Sequence, residues 1–120
     1  MKIAITATGQ DLSAQVDPRF GRAAYILVVD TDTLDFDVID NAENRNAFKG
    51  AGIQAGAAVS DKGAQVLLTG YCGPNAFKTL EAAGVKVVND VSGTIQEAVD
   101  RFNTGAYAAY ASAPNTDGHW

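Results

Sequence analysis

The chain has 120 residues, 47% of them apolar, and a formal net charge of −5. That is enough chain for one domain with a real core, and the composition is globular rather than disordered. The acidic balance argues against nucleic acid or an anionic membrane as partner, and no apolar run has the length needed to span a bilayer. Met1-Lys2-Ile3-Ala4-Ile5 enters a strand pattern directly, without the regions of a signal peptide. Cys72 is the sole cysteine, so no intrachain disulfide can form and a reducing cytoplasm is the expected compartment. One Cys and one His (His119) cannot close a thiolate/imidazole zinc site within a chain. A metal would have to use carboxylates, use two chains, or arrive in a preassembled unit.

In chain order, Lys2 to Thr8 reads as a strand, and Gly9 to Gly21 as a long polar loop. Ala24 to Asp30 is a buried strand, and Thr31-Asp32-Thr33 a turn cluster. Asp35 to Asp40 alternates acidic and apolar residues, the period of a half-buried edge strand after a hairpin. Asn41 to Gly50 is polar loop. Ala51 to Lys62 reads as a helix with Ile53, Ala57 and Ser60/Asp61 on one face, ended by Gly63. Val66 to Thr69 is a short buried strand. Pro74 to Ala83 is a helix opened by proline and stopped by Gly84. Val85 to Val88 is a strand. Ser92 is the expected N-cap of a last helix, with Ile95, Ala98, Val99 and Phe102 as its apolar face. Residues 104–120 form a tail expected to be partly disordered, which leaves residues 1–103 as the domain. The order β-β-β-α-β-α-β-α predicts an α/β fold with a five-stranded mixed sheet flanked by helices. Ligands in such folds sit beyond the carboxyl ends of the parallel strands.

Three constellations lie at candidate loops. Gly70-Tyr71-Cys72-Gly73-Pro74-Asn75 joins a strand to a helix start, where free N–H groups and the helix dipole attract an anion. A thiol there is expected to have a lowered pKa. The same residues also suit a plain strand-to-helix turn with a buried, inert thiol. Gly50-Ala51-Gly52 opens another helix and either supplies a second set of anion-facing N–H groups or simply makes a tight loop. Asp17-Pro18-Arg19-Phe20-Gly21-Arg22 concentrates positive charge, with Arg45 and Lys49 in a second loop. The alternative is that Arg22 pairs with Asp17 or Asp30 and Arg19 is solvated. No Ser/His/Asp arrangement is present, so no catalytic residue is expected. The many aspartates read as solvated charge on an edge strand rather than a two-metal nuclease site.

Val16-Asp17-Pro18-Arg19-Phe20-Gly21-Arg22-Ala23, with the strand ending in Asp30, resembles the opening signature of the dinitrogenase iron–molybdenum cofactor biosynthesis family. Gly73-Pro74-Asn75-Ala76-Phe77 and Leu80-Glu81-Ala82-Ala83-Gly84-Val85-Lys86-Val87 resemble its second signature, so the likeness runs from Met1 to Phe102. The resemblance implies a ribonuclease H-like fold without nuclease activity, and the binding, carriage or storage of a metal–sulfur cluster such as the iron–molybdenum cofactor or a precursor. The single cysteine in Thr69-Gly70-Tyr71-Cys72-Gly73-Pro74 is most similar to a branch from sulfate-reducing bacteria, which implies a molybdenum–copper sulfide cluster held mainly by noncovalent contacts. Where many members carry a His-Gly element, this chain has Phe48-Lys49-Gly50-Ala51-Gly52-Ile53, so a histidine ligand is missing there.

On that reading the anionic cluster is expected among Arg19, Phe20, Arg22, Lys49, Gly50, Ala51, Gly52, Tyr71, Cys72, Gly73, Pro74 and Asn75. Arg19, Arg22 and Lys49 supply charge. Phe20, Tyr71 and Phe77 either shield the cluster or belong to the core. Cys72 is the candidate copper or molybdenum ligand. A monomer or weak dimer is expected. The competing reading is a metal-free module that uses the same fold to bind a protein partner.

Overall fold

The computed structural model describes residues 1–41, 51–107 and 110–111. In chain order these form β1 (Lys2–Ala7), β2 (Tyr25–Asp30), β3 (Phe36–Asp40), α1 (Ala51–Asp61), β4 (Val66–Leu68), α2 (Pro74–Ala82), β5 (Lys86–Val88) and α3 (Ile95–Asn103). The sheet order is β3-β2-β1-β4-β5. β1 to β3 pair antiparallel, while β1–β4 and β4–β5 are parallel. This is the mixed five-stranded, ribonuclease H-like arrangement that the sequence predicts.

Alternate residues of each strand face opposite sides of the sheet, so two cores form. On one side Ala4, Ile26, Val28, Leu67 and Val87 pack against Ala55 and Val59 of α1 and Ala76, Phe77 and Leu80 of α2. On the other, Ile3, Ile5, Leu27, Val29, Leu68 and Val88 pack against Ile95, Ala98 and Val99 of α3. The central strands are covered on both faces, which is why β1, β2 and β4 read as continuous apolar runs rather than alternating ones.

Two helix assignments differ from the sequence reading. The expected face of α1 is not the buried one: Ile53 is 46% exposed, whereas Ala55 and Val59 are fully buried. The small side chains of α1 let it pack closely on α2. A Cβ on Gly52 would lie 2.8 Å from Ala76 Cβ, and one on Gly56 would lie 3.0 Å from Thr79 Cγ2. Positions therefore advance together, α1 and α2 run parallel, and their N-termini lie side by side. The N-cap of α3 is Thr94 rather than Ser92. Its hydroxyl accepts from the Glu97 N–H, and the Glu97 carboxylate accepts from the Thr94 N–H. Thr94 wins because Glu97 stands three residues after it, the spacing of a reciprocal cap.

Part of the expected tail is ordered against the domain. Tyr107 packs on the α3 side, and Ala111 packs on the other core. The Ala111 N–H donates to Val87 O at 2.7 Å, alongside β5. No described helix is long and apolar enough to cross a membrane.

Candidate functional site

At the carboxyl end of β1 and β4, two loops are joined backbone to backbone. The Tyr71 N–H donates to Pro18 O at 2.6 Å, and the Phe20 N–H donates to Tyr71 O at 3.1 Å. Gly70 makes this possible. A Cβ there would sit 2.7 Å from both the Pro18 Cα and the Pro18 carbonyl oxygen, a spacing no side chain tolerates. The glycine expected to approach a ligand instead approaches its own chain. Below this junction the Thr6 hydroxyl donates to Asp17 O at 2.5 Å and lies 2.9 Å from the Thr69 hydroxyl. Both threonines are fully buried and satisfied.

Asp17 sets the posture of Arg19. Its carboxylate, 7% exposed, accepts the Arg19 backbone N–H at 3.0 Å and lies 3.8 Å from Arg19 Nε. Arg19 is therefore the arginine that pairs with Asp17, where the sequence reading had offered Arg22. Arg19 keeps 42% of its side chain exposed at the rim of the junction. Arg22 is half-buried and follows Gly21, whose φ is 90°. Fully buried Asn41 holds that turn by donating its side-chain N–H groups to Gly21 O at 3.1 Å and Ala23 O at 2.9 Å.

The start of α2 opens directly off the junction. Its N-cap is Gly73, which has no side chain to cap the helix, and Pro74 follows in the first turn. The Phe77 N–H is taken by Gly73 O at 2.9 Å. The N–H groups of Asn75 and Ala76 are the ones that helix geometry leaves over. The start of α1 lies beside them through the Gly52–Ala76 contact. Two helix dipoles thus present positive ends at one place. Tyr71, 42% exposed, stands at the edge.

Of the predicted residues, the structure brings Arg19, Phe20, Tyr71, Cys72, Gly73, Pro74 and Asn75 to one sheet end, with Gly52 adjacent. Lys49 and Gly50 lie outside the described residues, as does the Ala51 side chain. Phe20 and Phe77 are core, at 3% and 7% exposure. Cys72 is fully buried in the same core. Burial pushes its thiol up to about 12, so the expected lowering is reversed. Desolvation of a thiolate outweighs the attraction of the helix dipole. Its Sγ donates weakly to Gly73 O at 3.8 Å. Among the described residues no three His, Cys, Asp or Glu side chains converge to hold a bare metal ion. The donors assembled here are N–H groups and a guanidinium, which suit an anion.

Sequence reasoning missed Asp17, Asn41 and the threonine pair as organisers. Asp17-Pro18 carries a readable turn signal, because Asp caps the backbone two residues on. Asn41, a single polar residue after an edge strand, carries none.

The chain matches the family model described as dinitrogenase iron-molybdenum cofactor over residues 1–105. It is 47% identical to the orange protein of Desulfovibrio gigas, solved in its apo form, covering 96% of each chain with a TM-score of 0.92. It is 39% identical to a putative NifB protein from Thermotoga, covering 87% of this chain and 88% of that one, with a TM-score of 0.75. An uncharacterised protein of Methanocaldococcus jannaschii is 25% identical over 108 residues, 88% of this chain and 87% of the relative.

Proposed function

Because the chain belongs to the dinitrogenase iron-molybdenum cofactor family, we propose that it binds and carries an anionic metal–sulfur cluster where α1 and α2 begin. The observation that carries this reading is the start of α2, capped by a glycine and set beside the start of α1. Sulfide-rich clusters are large, polarisable anions. They are served better by several N–H donors and a guanidinium than by one or two ligating side chains. A molybdenum–copper sulfide is the favoured cargo, given the identity to the orange protein. An iron–molybdenum cofactor-like cluster is the alternative.

In this reading the Asn75 and Ala76 N–H groups and the backbone of Ala51 and Gly52 face the cluster, flanked by Gly73 and Pro74. Arg19, Arg22 and Lys49 supply positive charge. Tyr71 covers one edge, and Phe20 supports the loop from below. Cys72 lies beneath the site, and a direct sulfur–copper contact would require the Tyr71–Gly73 turn to open. The protein acts as a carrier in a reducing cytoplasm, not as an enzyme. The test is reconstitution with tetrathiomolybdate and copper(I), followed by gel filtration, visible absorbance and elemental analysis. Charge-transfer bands and stoichiometric molybdenum should travel with the protein, and Arg19→Ala should weaken binding about tenfold, or about 1.4 kcal/mol. Metal that elutes entirely apart from the chain overturns the proposal.

A further inference from the structure

The two edges of the sheet differ. The β5 edge is partly closed by the chain itself, through the Ala111 N–H on Val87 O. The β3 edge has no outer neighbour among the described residues. Its register shows what it offers. The Asp30 N–H donates to Asp35 O at 2.8 Å, and the Asn41 N–H donates to Ala24 O at 3.1 Å. Along the β2–β3 ladder, residues 35, 37, 39 and 41 therefore turn their backbone groups to β2. Phe36 and Val38, at alternate positions, turn theirs outward. Both side chains are also 36% exposed, and Leu34, just before the strand, is 37% exposed. Between and beside these apolar groups stand the exposed carboxylates of Asp35, Asp37 and Asp40.

We propose that β3 is a docking edge for an extended segment of another protein in which apolar residues alternate with lysine or arginine. The outward N–H and C=O groups of Phe36 and Val38 would continue the ladder. Apolar residues of the incoming strand would pack beside Phe36 and Val38. Its basic residues would emerge on the face of Asp37 and at the flanking Asp35. Charge decides against a second copy of this chain. Two β3 strands side by side would set carboxylates against carboxylates, and like charges across a strand pair are unfavourable. The acid thus blocks self-pairing and selects a basic partner. A five-residue edge is small, so the contact is transient.

The test is an amide NMR titration of the full chain with a short synthetic peptide of alternating valine and lysine. Two controls are a valine–aspartate peptide and a lysine peptide of equal composition with the alternation scrambled. The alternating basic peptide should shift the Phe36 and Val38 amides and slow their hydrogen exchange, and neither control should. Val38→Pro removes an outward N–H and leaves the β2 ladder intact, so binding should be lost. Exposed Asp37→Lys, which does not depend on proline being accommodated, should weaken binding at least tenfold. The proposal is overturned if the scrambled peptide binds equally, if the shifts lie away from β3, or if the chain dimerises through these amides.

Discussion

The start of α3 is filled by its own side chains, whereas the start of α2 is capped only by a glycine. Both helices begin at the same end of the sheet, joined by one loop. The Val16 N–H reaches Gly93 O beside α3, and the Phe20 N–H reaches Tyr71 O beside α2. At α3 the Glu97 carboxylate accepts the Thr94 N–H at 2.9 Å, and those contacts lower its pKa. An anion already occupies that dipole. At α2 no side chain caps the backbone, and the helix depends on packing through Phe77 and Leu80 instead. One start is locally stable and closed to anions. The other gives up a few tenths of a kcal/mol of capping and stays open.

The sharpest way to break this contrast is to part the two loops. Gly70→Val puts a branched side chain where even a Cβ would meet Pro18 at 2.7 Å. The expected loss is about 3 kcal/mol by urea unfolding, with loss of cluster retention. A variant as stable as the parent would show that the junction does not organise the site. A subtler substitution makes α2 resemble α3. Gly73 has φ −76° and ψ 171°, which any residue adopts. Gly73→Asp should raise stability by a few tenths of a kcal/mol through capping and weaken cluster binding about tenfold by charge and competition for the N–H groups. The opposite signs separate a site effect from misfolding. Thr94→Ala removes the α3 cap, and should cost about 1 kcal/mol while leaving cluster binding unchanged.

The contrast was half visible in the sequence. Gly73-Pro74 marks a helix start without a polar cap, and strand periodicity placed it at the carboxyl end of β4. The α3 cap was misplaced at Ser92, because propensity for a cap is common and only the Thr94/Glu97 spacing distinguishes the one used. The faces of α1 were misread because alanine and glycine carry little periodic signal. Its buried side is chosen by how closely Gly52 and Gly56 approach α2. Arg19 was legible as charge, but its anchorage to Asp17 was not, since a surface loop does not reveal which carboxylate is buried. The buried, inert Cys72 was one of the two readings open for its loop, and tertiary packing over two loops distant in sequence decides for it.

That burial supplies the last and smallest effect on binding. If the α2 start works through its N–H groups, the thiol just before Gly73 is a packing group, and Cys72→Ala should change cluster affinity by less than about twofold. A larger loss would assign the sulfur to copper. The same variant has an independent signature in pH. The thiol ionises near 9.0 when unfolded and near 12 when buried, so its contribution is complete below pH 9 and is lost as pH rises toward 12. Unfolding of the parent protein at pH 8 and pH 10 should differ by about 1 kcal/mol from this group. Cys72→Ala should lack that slope. If affinity is retained while the slope disappears, then Cys72 is a neutral member of the core, and the open helix start holds the anion without it.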